Sequence, residues 1–278
     1  MNRTKKEITI DENFLKESEN EKMSQILKVV ICGINGKMGQ VLTNLINSKD
    51  DFQLVAGIDR SFPTFSNNAQ YKTYSFKDDL LAVNADVIID FSHPDMLDSL
   101  LNFSLSKRIP LVICTTGFSE DQINKIRVAS KKIPIFFSGN MSLGINLLIE
   151  LSKRAAKILG DNFDIEIIEK HHNQKLDAPS GTALMIANAI SSERQNLEYI
   201  FDRHQKREKR KQNEIGIHSV RGGTIVGEHE VIFAGQNELL SISHSAQNKE
   251  IFALGALKAA KFLRFCSEGL YSMGDLLG

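Results

Sequence analysis

Short, continuous apolar runs recur along the first half of the chain and alternate with amphipathic segments. The apolar runs predict buried strands at residues 28–32, 52–58, 86–91, 110–114 and 133–137. The amphipathic segments predict helices near residues 40–47, 97–105 and 120–130. Strands that are apolar throughout and are separated by helices are typical of a parallel sheet with helices on both faces. The first half is therefore predicted to be a doubly wound α/β domain of the Rossmann type.

The pattern changes after residue 140. A long helix is predicted at residues 143–159, and residues 215–220, 228–233 and 238–244 then predict strands without helices between them. Such a run of strands favours a mixed or antiparallel sheet, and hence a second domain of the α+β class. A final apolar helix at residues 251–265 is expected to pack on the first domain. We therefore predict a first domain at residues 27–141, a second at 142–250 and a returning C-terminal helix within 251–278.

Residues 1–26 are predicted to be a disordered tail that precedes the first strand. Residues 1–22 hold six acidic residues and no continuous apolar core. Both features argue against a signal peptide or a transit peptide. Met23 is an alternative start of the protein.

The charge balance and the cysteine content exclude several functional classes. The 34 basic and 34 acidic residues cancel, so no overall field favours nucleic acid or an anionic membrane. No apolar run is long enough to span a membrane. Cys32, Cys114 and Cys266 are widely spaced and odd in number, which favours a reducing compartment over a disulfide framework. These features predict a cytoplasmic protein.

A glycine-rich turn directly follows the first predicted strand and opens the first helix. Its spacing is G-x-x-G-x-x-G over residues 33–39, and small residues there let the backbone approach a pyrophosphate at a helix N-terminus. Asp59 ends the second strand, where an acid normally binds the ribose of NAD, and the neighbouring Arg60 suits the 2′-phosphate of NADP. Either NADPH or NADH is therefore expected, and a glycine-rich turn without a nucleotide is the alternative. The predicted cofactor residues here are Gly33, Ile34, Asn35, Gly36, Lys37, Met38, Asp59 and Arg60.

Two later turns follow strands of the same predicted sheet. Ligands of such sheets bind outside the carboxyl ends of the strands, so both turns are expected to line the nicotinamide end of the site. The residues concerned are Cys114, Thr115 and Thr116 in one turn, and Gly139, Asn140, Met141 and Ser142 in the other.

Residues 166–183 concentrate titratable groups between a predicted strand and a predicted helix. The strand covers residues 164–169, and Ser180 is a plausible N-cap for the helix. His171, His172 and Lys175 lie in or beside the loop between them. A helix N-terminus beside proton donors suits an anionic substrate. Adjacent histidines are also common as structural residues or metal ligands, but no cysteine or third nearby histidine completes a zinc set, so no metal is predicted.

Together these motifs resemble the 4-hydroxy-tetrahydrodipicolinate reductase family, and the resemblance covers residues 27–278. It is carried by the glycine-rich turn, by residues 114–118 and 140–144, by the whole of 166–183, and by the glycine-containing segments 221–223 and 227–229. It implies NAD(P)H-dependent reduction of a cyclic dicarboxylate in lysine and diaminopimelate biosynthesis. It further implies a homotetramer built through the sheet of the second domain.

The resemblance also implies roles for individual residues. His171 and Lys175 are expected to be the proton donors, and His172 is expected to contact the substrate. Gly181 and Thr182 are expected to bind a substrate carboxylate. Glu166 and Glu169 are expected to orient or solvate the motif rather than carry protons.

Several positions leave alternatives open. Lys249 and Lys37 stand where the family commonly has arginine, which puts a bidentate contact in doubt. The basic residues of 203–211 are expected to be a solvated loop, with phosphate binding as the alternative. His218, His229 and His244 are expected to be structural or peripheral, and His93 either touches the cofactor or lies in an exposed turn. Another two-domain dehydrogenase and a nucleotide-sensing protein without catalysis remain as alternative functions.

Overall fold

The computed structural model describes residues 25–60, 71–75, 83–204 and 206–278. It forms two sheets with helices packed around them. Most of the predicted tail, residues 1–24, lies outside the described residues. No helix in the described part of the chain is long and apolar enough to cross a membrane.

The first sheet has seven strands, and every neighbouring pair is parallel. Its strand order is β12-β6-β5-β4-β1-β2-β3. The central strands are buried almost throughout, because helices cover both faces and leave no solvent-facing side. The strands are β1 (Leu27–Cys32), β2 (Phe52–Ile58), β3 (Lys72–Tyr74), β4 (Val87–Asp90), β5 (Leu111–Ile113), β6 (Pro134–Phe137) and β12 (Gly269–Tyr271).

Three helices connect the strands of this sheet: α1 (Lys37–Asn47), α2 (Leu97–Lys107) and α3 (Glu120–Ala129). A short 3-10 turn, Pro94–Met96, precedes α2. Helix α3 begins with a capping box in which Ser119 and Gln122 bond each other's backbone N–H groups. Two apolar clusters cover the two faces of the sheet, as expected of a doubly wound fold.

The second sheet has five strands in the order β11-β10-β7-β9-β8 and is mixed. Strand β7 pairs with β9 in parallel and with β10 in antiparallel fashion. Helices α4 (Leu143–Leu159) and α5 (Gly181–Glu193) cover one face, where they share an apolar core with the inward residues of the strands. The strands are β7 (Asp164–His171), β8 (Glu198–Ile200), β9 (Glu214–Arg221), β10 (Gly227–Ala234) and β11 (Leu239–Ala246).

The chain returns to the first sheet through α6 (Glu250–Leu263), which packs against α1 and the strands β4, β5 and β6. Its inward residues are mostly alanines, so the helix lies close to its neighbours. Gly255 allows the closest approach, because a methyl group there would overlap the carbonyl oxygen of Met141. Strand β12 and a last helix, α7 (Met273–Leu277), then complete the molecule.

The predicted fold class is confirmed, with a parallel Rossmann-type sheet beside a mixed one. Three short strands, β3, β8 and β12, and helix α7 were not predicted. Each of these strands has only three residues, which is too few to show a periodic pattern. The domain boundaries at residues 141 and 250 stay predictions.

Candidate active site

The turn after β1 is packed so closely that only glycine fits at two of its positions. Gly33 has φ +80°, and a methyl group there would lie 2.5 Å from the carbonyl oxygen of Phe91. A methyl group on Gly39 would overlap the carbonyl oxygen of Gly33 and lie 2.6 Å from the Cα of Ile34. The start of α1 is thereby held against the turn, which leaves the backbone of the turn accessible.

Asp59 at the end of β2 fixes the same turn. Its Oδ2 accepts a hydrogen bond of 2.9 Å from the backbone N–H of Asn35. Arg60 lies beside it and forms an exposed ion pair of 3.4 Å with Asp95. A cleft of about 310 Å³ opens here, lined by Gly33, Asn35, Gly36, Asp59, Arg60, Phe91, Ser92, His93 and Met96.

The cleft fits the pyrophosphate and ribose of a dinucleotide. Gly36 is the N-cap of α1 and its conformation is extended, and it provides no capping side chain, so the first N–H groups of the helix face the turn. The side chains of Ile34, Cys114 and Met141, by contrast, lie in the apolar core. These three predicted cofactor residues could therefore contact a nucleotide only through their backbone atoms.

The two later turns lie at the same edge of the sheet, because β4, β5 and β6 end in register. Thr116 is exposed at this edge, whereas Thr115 is buried. Asn140 reaches from the last turn toward α5, and its Nδ2 donates a hydrogen bond of 3.0 Å to Thr182 Oγ1. Its Oδ1 accepts from the backbone N–H of Ser142, the N-cap of α4. Asn140 thus joins the predicted cofactor edge to the predicted substrate helix.

Strand β7 places two titratable side chains on its buried face. Alternate residues of the strand are buried, beginning with Ile165 and Ile167 and ending with Glu169 and His171. The Nδ1 of His171 lies 2.6 Å from Glu169 Oε2. Because a strand repeats every two residues, the same pattern that forms the core brings the carboxylate and the imidazole together.

Glu169 is completely buried and receives several hydrogen bonds. Both terminal nitrogens of Arg221 donate to its two oxygens, at 2.7 and 2.8 Å. The backbone N–H of Ser180 donates to Oε1 at 3.1 Å. Burial raises the pKa of this carboxyl, but the hydrogen bonds from Arg221 and His171 outweigh burial and hold the pKa at about 2. The group is therefore a carboxylate at any physiological pH.

Burial lowers the pKa of His171, and the charges of Lys175 and Arg221 act in the same direction. The hydrogen bond and the charge of Glu169 oppose them. The imidazole of His229 stands edge-on to that of His171, with ring centroids 5.2 Å apart. Burial, followed by the nearby His171, lowers the pKa of His229 to about 4, so His229 is neutral near physiological pH.

Ser180 connects His229 to the start of α5. As N-cap it accepts a hydrogen bond from the backbone N–H of Ala183, and its Oγ lies 3.1 Å from His229 Nε2. A serine hydroxyl can both donate and accept, so it can pair with either neutral tautomer of His229. Gly181 and Thr182 follow directly, with Gly181 exposed and Thr182 half-buried.

The loop between β7 and α5 carries the remaining predicted residues. The Nζ of Lys175 lies 2.8 Å from Asp177 Oδ1, and this pairing lowers the pKa of Asp177. The backbone N–H of Lys175 donates to the carbonyl of His172, whose side chain is half-buried. The structure thus brings His171, Lys175 and the start of α5 into one region.

Comparison with known proteins identifies the family. The model of the dihydrodipicolinate reductase N-terminus matches residues 27–141, and that of the dihydrodipicolinate reductase C-terminus matches residues 144–277. The chain belongs to the dihydrodipicolinate reductase family. It is accordingly an oxidoreductase.

Individual relatives agree with this membership. A 4-hydroxy-tetrahydrodipicolinate reductase from Caldanaerobacter subterraneus subsp. tengcongensis is 52% identical over 91% of this chain and 98% of its own length. One from Clostridium novyi is 46% identical over 90% of this chain and 98% of its own. A solved structure of dipicolinate-bound dihydrodipicolinate reductase from Paenisporosarcina sp. TG-14 has a TM-score of 0.75 and 26% identity, covering 89% of this chain and 98% of that one.

The remaining histidines of the second half have distinct surroundings, as does His93. His229 was expected to be structural or peripheral, and the structure shows that it is not peripheral, because its ring contacts His171. His218 is exposed and pairs with Glu166, while His244 Nε2 lies 3.5 Å from Ser142 Oγ. His93 is exposed in a turn and lines the cleft, and its contact with the cofactor stays a prediction.

Among the basic residues of 203–211, Arg207, Lys209 and Lys211 are exposed, as expected of a solvated loop, but two arginines form ion pairs with the second sheet. Arg203 pairs with the buried Glu214, and Arg210 pairs with Asp164 and Glu166. These arginines fasten the segment to the second sheet. Within the described residues, no group of three or more histidine, cysteine or acidic side chains could hold a metal ion.

The partners of Glu169 are the part of the site that sequence reasoning missed. Glu169 was assigned only an orienting or solvating role, and the segment 221–223, which contains Arg221, was noted without a role for any of its residues. The two-residue spacing of Glu169 and His171 on one strand was an available signal for their contact. The approach of Arg221, 52 residues away along the chain, had no such signal.

Proposed function

We propose that the protein catalyses the NAD(P)H-dependent reduction of 4-hydroxy-tetrahydrodipicolinate to tetrahydrodipicolinate in lysine and diaminopimelate biosynthesis. The observation that carries the proposal is that a chain of this family combines a dinucleotide-type cleft with a buried His171–Glu169 pair and an accessible helix start. The dipicolinate bound to the Paenisporosarcina relative is a planar cyclic dicarboxylate and supports this substrate class.

In this proposal the cofactor, when bound, supplies a hydride. Residues in the second half of the chain donate protons and bind the substrate carboxylates. His171 and Lys175 supply protons, so that the 4-hydroxyl group leaves as water. His172 contacts the substrate, and the backbone N–H groups at Gly181 and Thr182 hold one carboxylate. The hydrogen bond between Asn140 and Thr182 supports this arrangement, since it ties the carboxylate site to the predicted nicotinamide edge.

The choice between NADPH and NADH follows from the end of β2. Asp59 suits a ribose hydroxyl and Arg60 suits a 2′-phosphate, so we propose that both cofactors are accepted. Lys37 at the start of α1 is exposed and adds positive charge near the turn.

The experiment couples the purified protein to dihydrodipicolinate synthase and follows the absorbance of NADPH and then of NADH. We expect oxidation with at least one cofactor, and competitive inhibition by dipicolinate. His171→Gln and Lys175→Ala are each expected to lower kcat by about 10²-fold or more, the contribution typical of a general acid. His218→Gln is the matched control, because that histidine is exposed and pairs only with Glu166 in the described residues. Absence of oxidation with both cofactors contradicts the proposal.

We further propose a cytoplasmic homotetramer assembled through the face of the five-stranded sheet that lies opposite α4 and α5. Helices α4 and α5 cover the opposite face, and Val220 and Leu239 are exposed on this one. Light scattering coupled to size-exclusion chromatography tests the assembly. Val220→Glu is expected to reduce the measured mass, and an unchanged tetramer would place the interface elsewhere.

A further inference from the structure

The hydrogen bond between Glu169 and His171 determines which imidazole nitrogen carries a proton. A carboxylate can only accept, and the pKa of Glu169 keeps it charged, so the Nδ1 of His171 must carry the hydrogen. The Nε2 of His171 is then the nitrogen that gains and loses the proton. It points toward Gly227, where a methyl group would lie only 3.1 Å away.

The same carboxylate also holds the start of α5. Its Oε1 accepts from the backbone N–H of Ser180, and the two residues after Ser180 are those proposed to hold the substrate carboxylate. One buried side chain therefore fixes both the imidazole and the helix start.

Arg221 stabilises the buried negative charge of Glu169. Its bidentate contact supplies two charge-assisted hydrogen bonds, and a second donation from Nη2 reaches the carbonyl of Asp177 at 2.6 Å. A buried carboxylate without a partner would strongly destabilise the fold. Glu169 therefore depends on its ion pair with Arg221.

We propose that Glu169, held by Arg221, is the positioning residue of the active site: it fixes the tautomer of His171 and sets the imidazole in register with the start of α5. This inference rests on the proposed function, since it assigns His171 as the proton donor. It goes beyond the expectation that Glu169 merely orients or solvates the motif, because it makes the pH dependence of turnover depend on this carboxylate.

The charged groups that face His171 determine the direction of that dependence. They are Glu169, which favours the protonated imidazole, and Lys175 and Arg221, which disfavour it. His229 also faces His171 but is neutral near physiological pH. Removing the charge of Glu169 is therefore expected to lower the pKa of His171 further. Because a general acid must be protonated to act, the alkaline limb of the kcat/KM profile then moves to lower pH.

The chain offers a closely matched control on the same strand. Glu166 also pairs with one arginine and one histidine, Arg210 and His218, but it lies on the opposite face of β7. Glu169→Gln is expected to lower kcat at least ~10-fold and to shift the alkaline limb downward, and Glu169→Asp is expected to retain the limb with a smaller loss. Glu166→Gln is expected to keep the wild-type profile. A Glu169→Gln enzyme with the wild-type profile would reduce Glu169 to a structural role and overturn the proposal.

A second measurement does not require Glu169→Gln to fold. In the wild-type protein labelled with ¹⁵N-histidine and assigned with His171→Gln, the imidazole spectrum above neutral pH is expected to show His171 protonated at Nδ1. A spectrum showing the Nε2–H tautomer contradicts the positioning role. This spectrum needs no substrate, so a failure of the proposed reaction and a failure of the positioning role are distinguished.

Discussion

Gly39 determines how closely α1 approaches the nucleotide turn, because its missing side chain leaves room for the carbonyl of Gly33. We predict that Gly39→Ala raises the Kd for NADPH at least ~10-fold and lowers the Tm, since the added methyl group must displace the backbone of the turn. Isothermal titration and thermal unfolding measure both effects. Gly274→Ala is the control, because a methyl group there makes only an ordinary contact with Ser272. Equal effects of the two substitutions would contradict the prediction that the close approach at Gly39 supports nucleotide binding.

His229 makes the stability of the protein depend on pH. Its folded pKa of about 4 lies below the ordinary value of 6.5, so the unfolded chain binds more protons between these values. The free energy of unfolding is therefore expected to fall as the pH decreases through this window, by a contribution on the order of 3 kcal/mol at most.

Urea unfolding of wild type and His229→Gln at several pH values between 7 and 5, a range of about two units spanning the ordinary histidine pKa, tests this prediction. The variant is expected to lose stability less steeply on acidification. His171 and His244, whose pKa values burial also lowers, contribute to the slope that remains. Parallel curves for the two proteins would contradict it.

At the scale of the element, Ser180 performs two tasks that can be separated. Its hydroxyl caps α5 and contacts His229, whereas its backbone N–H, which alanine would keep, donates to Glu169. We predict that Ser180→Ala destabilises the protein by about 1 kcal/mol through the lost cap and, in addition, raises the KM for the dicarboxylate. Ser119→Ala removes an equivalent cap from α3 and is expected to show only the stability loss. An unchanged KM in Ser180→Ala would show that the Ser180 hydroxyl does not contribute to substrate binding.

The long elements were predictable and the short ones were not. Strands such as β1 and β4 are apolar throughout, so their sequence alone indicates burial on both faces. Strand β12, by contrast, exists because α6 returns the chain beside β6, which is a tertiary effect. The same holds for the site: residues 171–182 were visible as a motif, whereas the contact of Arg221 with Glu169 depends on the parallel pairing of β7 with β9.

At the scale of the whole molecule, α6 supports the turn that carries Asn140, Met141 and Ser142. Gly255 lies against the carbonyl of Met141, although the two are far apart in sequence. We predict that Gly255→Ala raises KM and lowers Tm, because the turn that bonds Thr182 must shift. Leu254→Ala, at a partly exposed neighbouring position, is expected to affect kinetics little. Steady-state kinetics with both variants test this prediction. Normal kinetics in Gly255→Ala would show that the position of the turn does not depend on its contact with α6.

The ion pair between Lys175 and Asp177 gives the proposed substrate site an internal competitor. Lys175 already has a carboxylate at 2.8 Å, so a dicarboxylate that engages this lysine replaces one negative partner with another. The electrostatic gain on binding is then the difference between two similar ion pairs rather than the full attraction of a free cation. The affinity for this substrate class would accordingly be moderate and would depend only weakly on salt. The Asp177 carboxylate would also assist release of the product, because it can pair with Lys175 again.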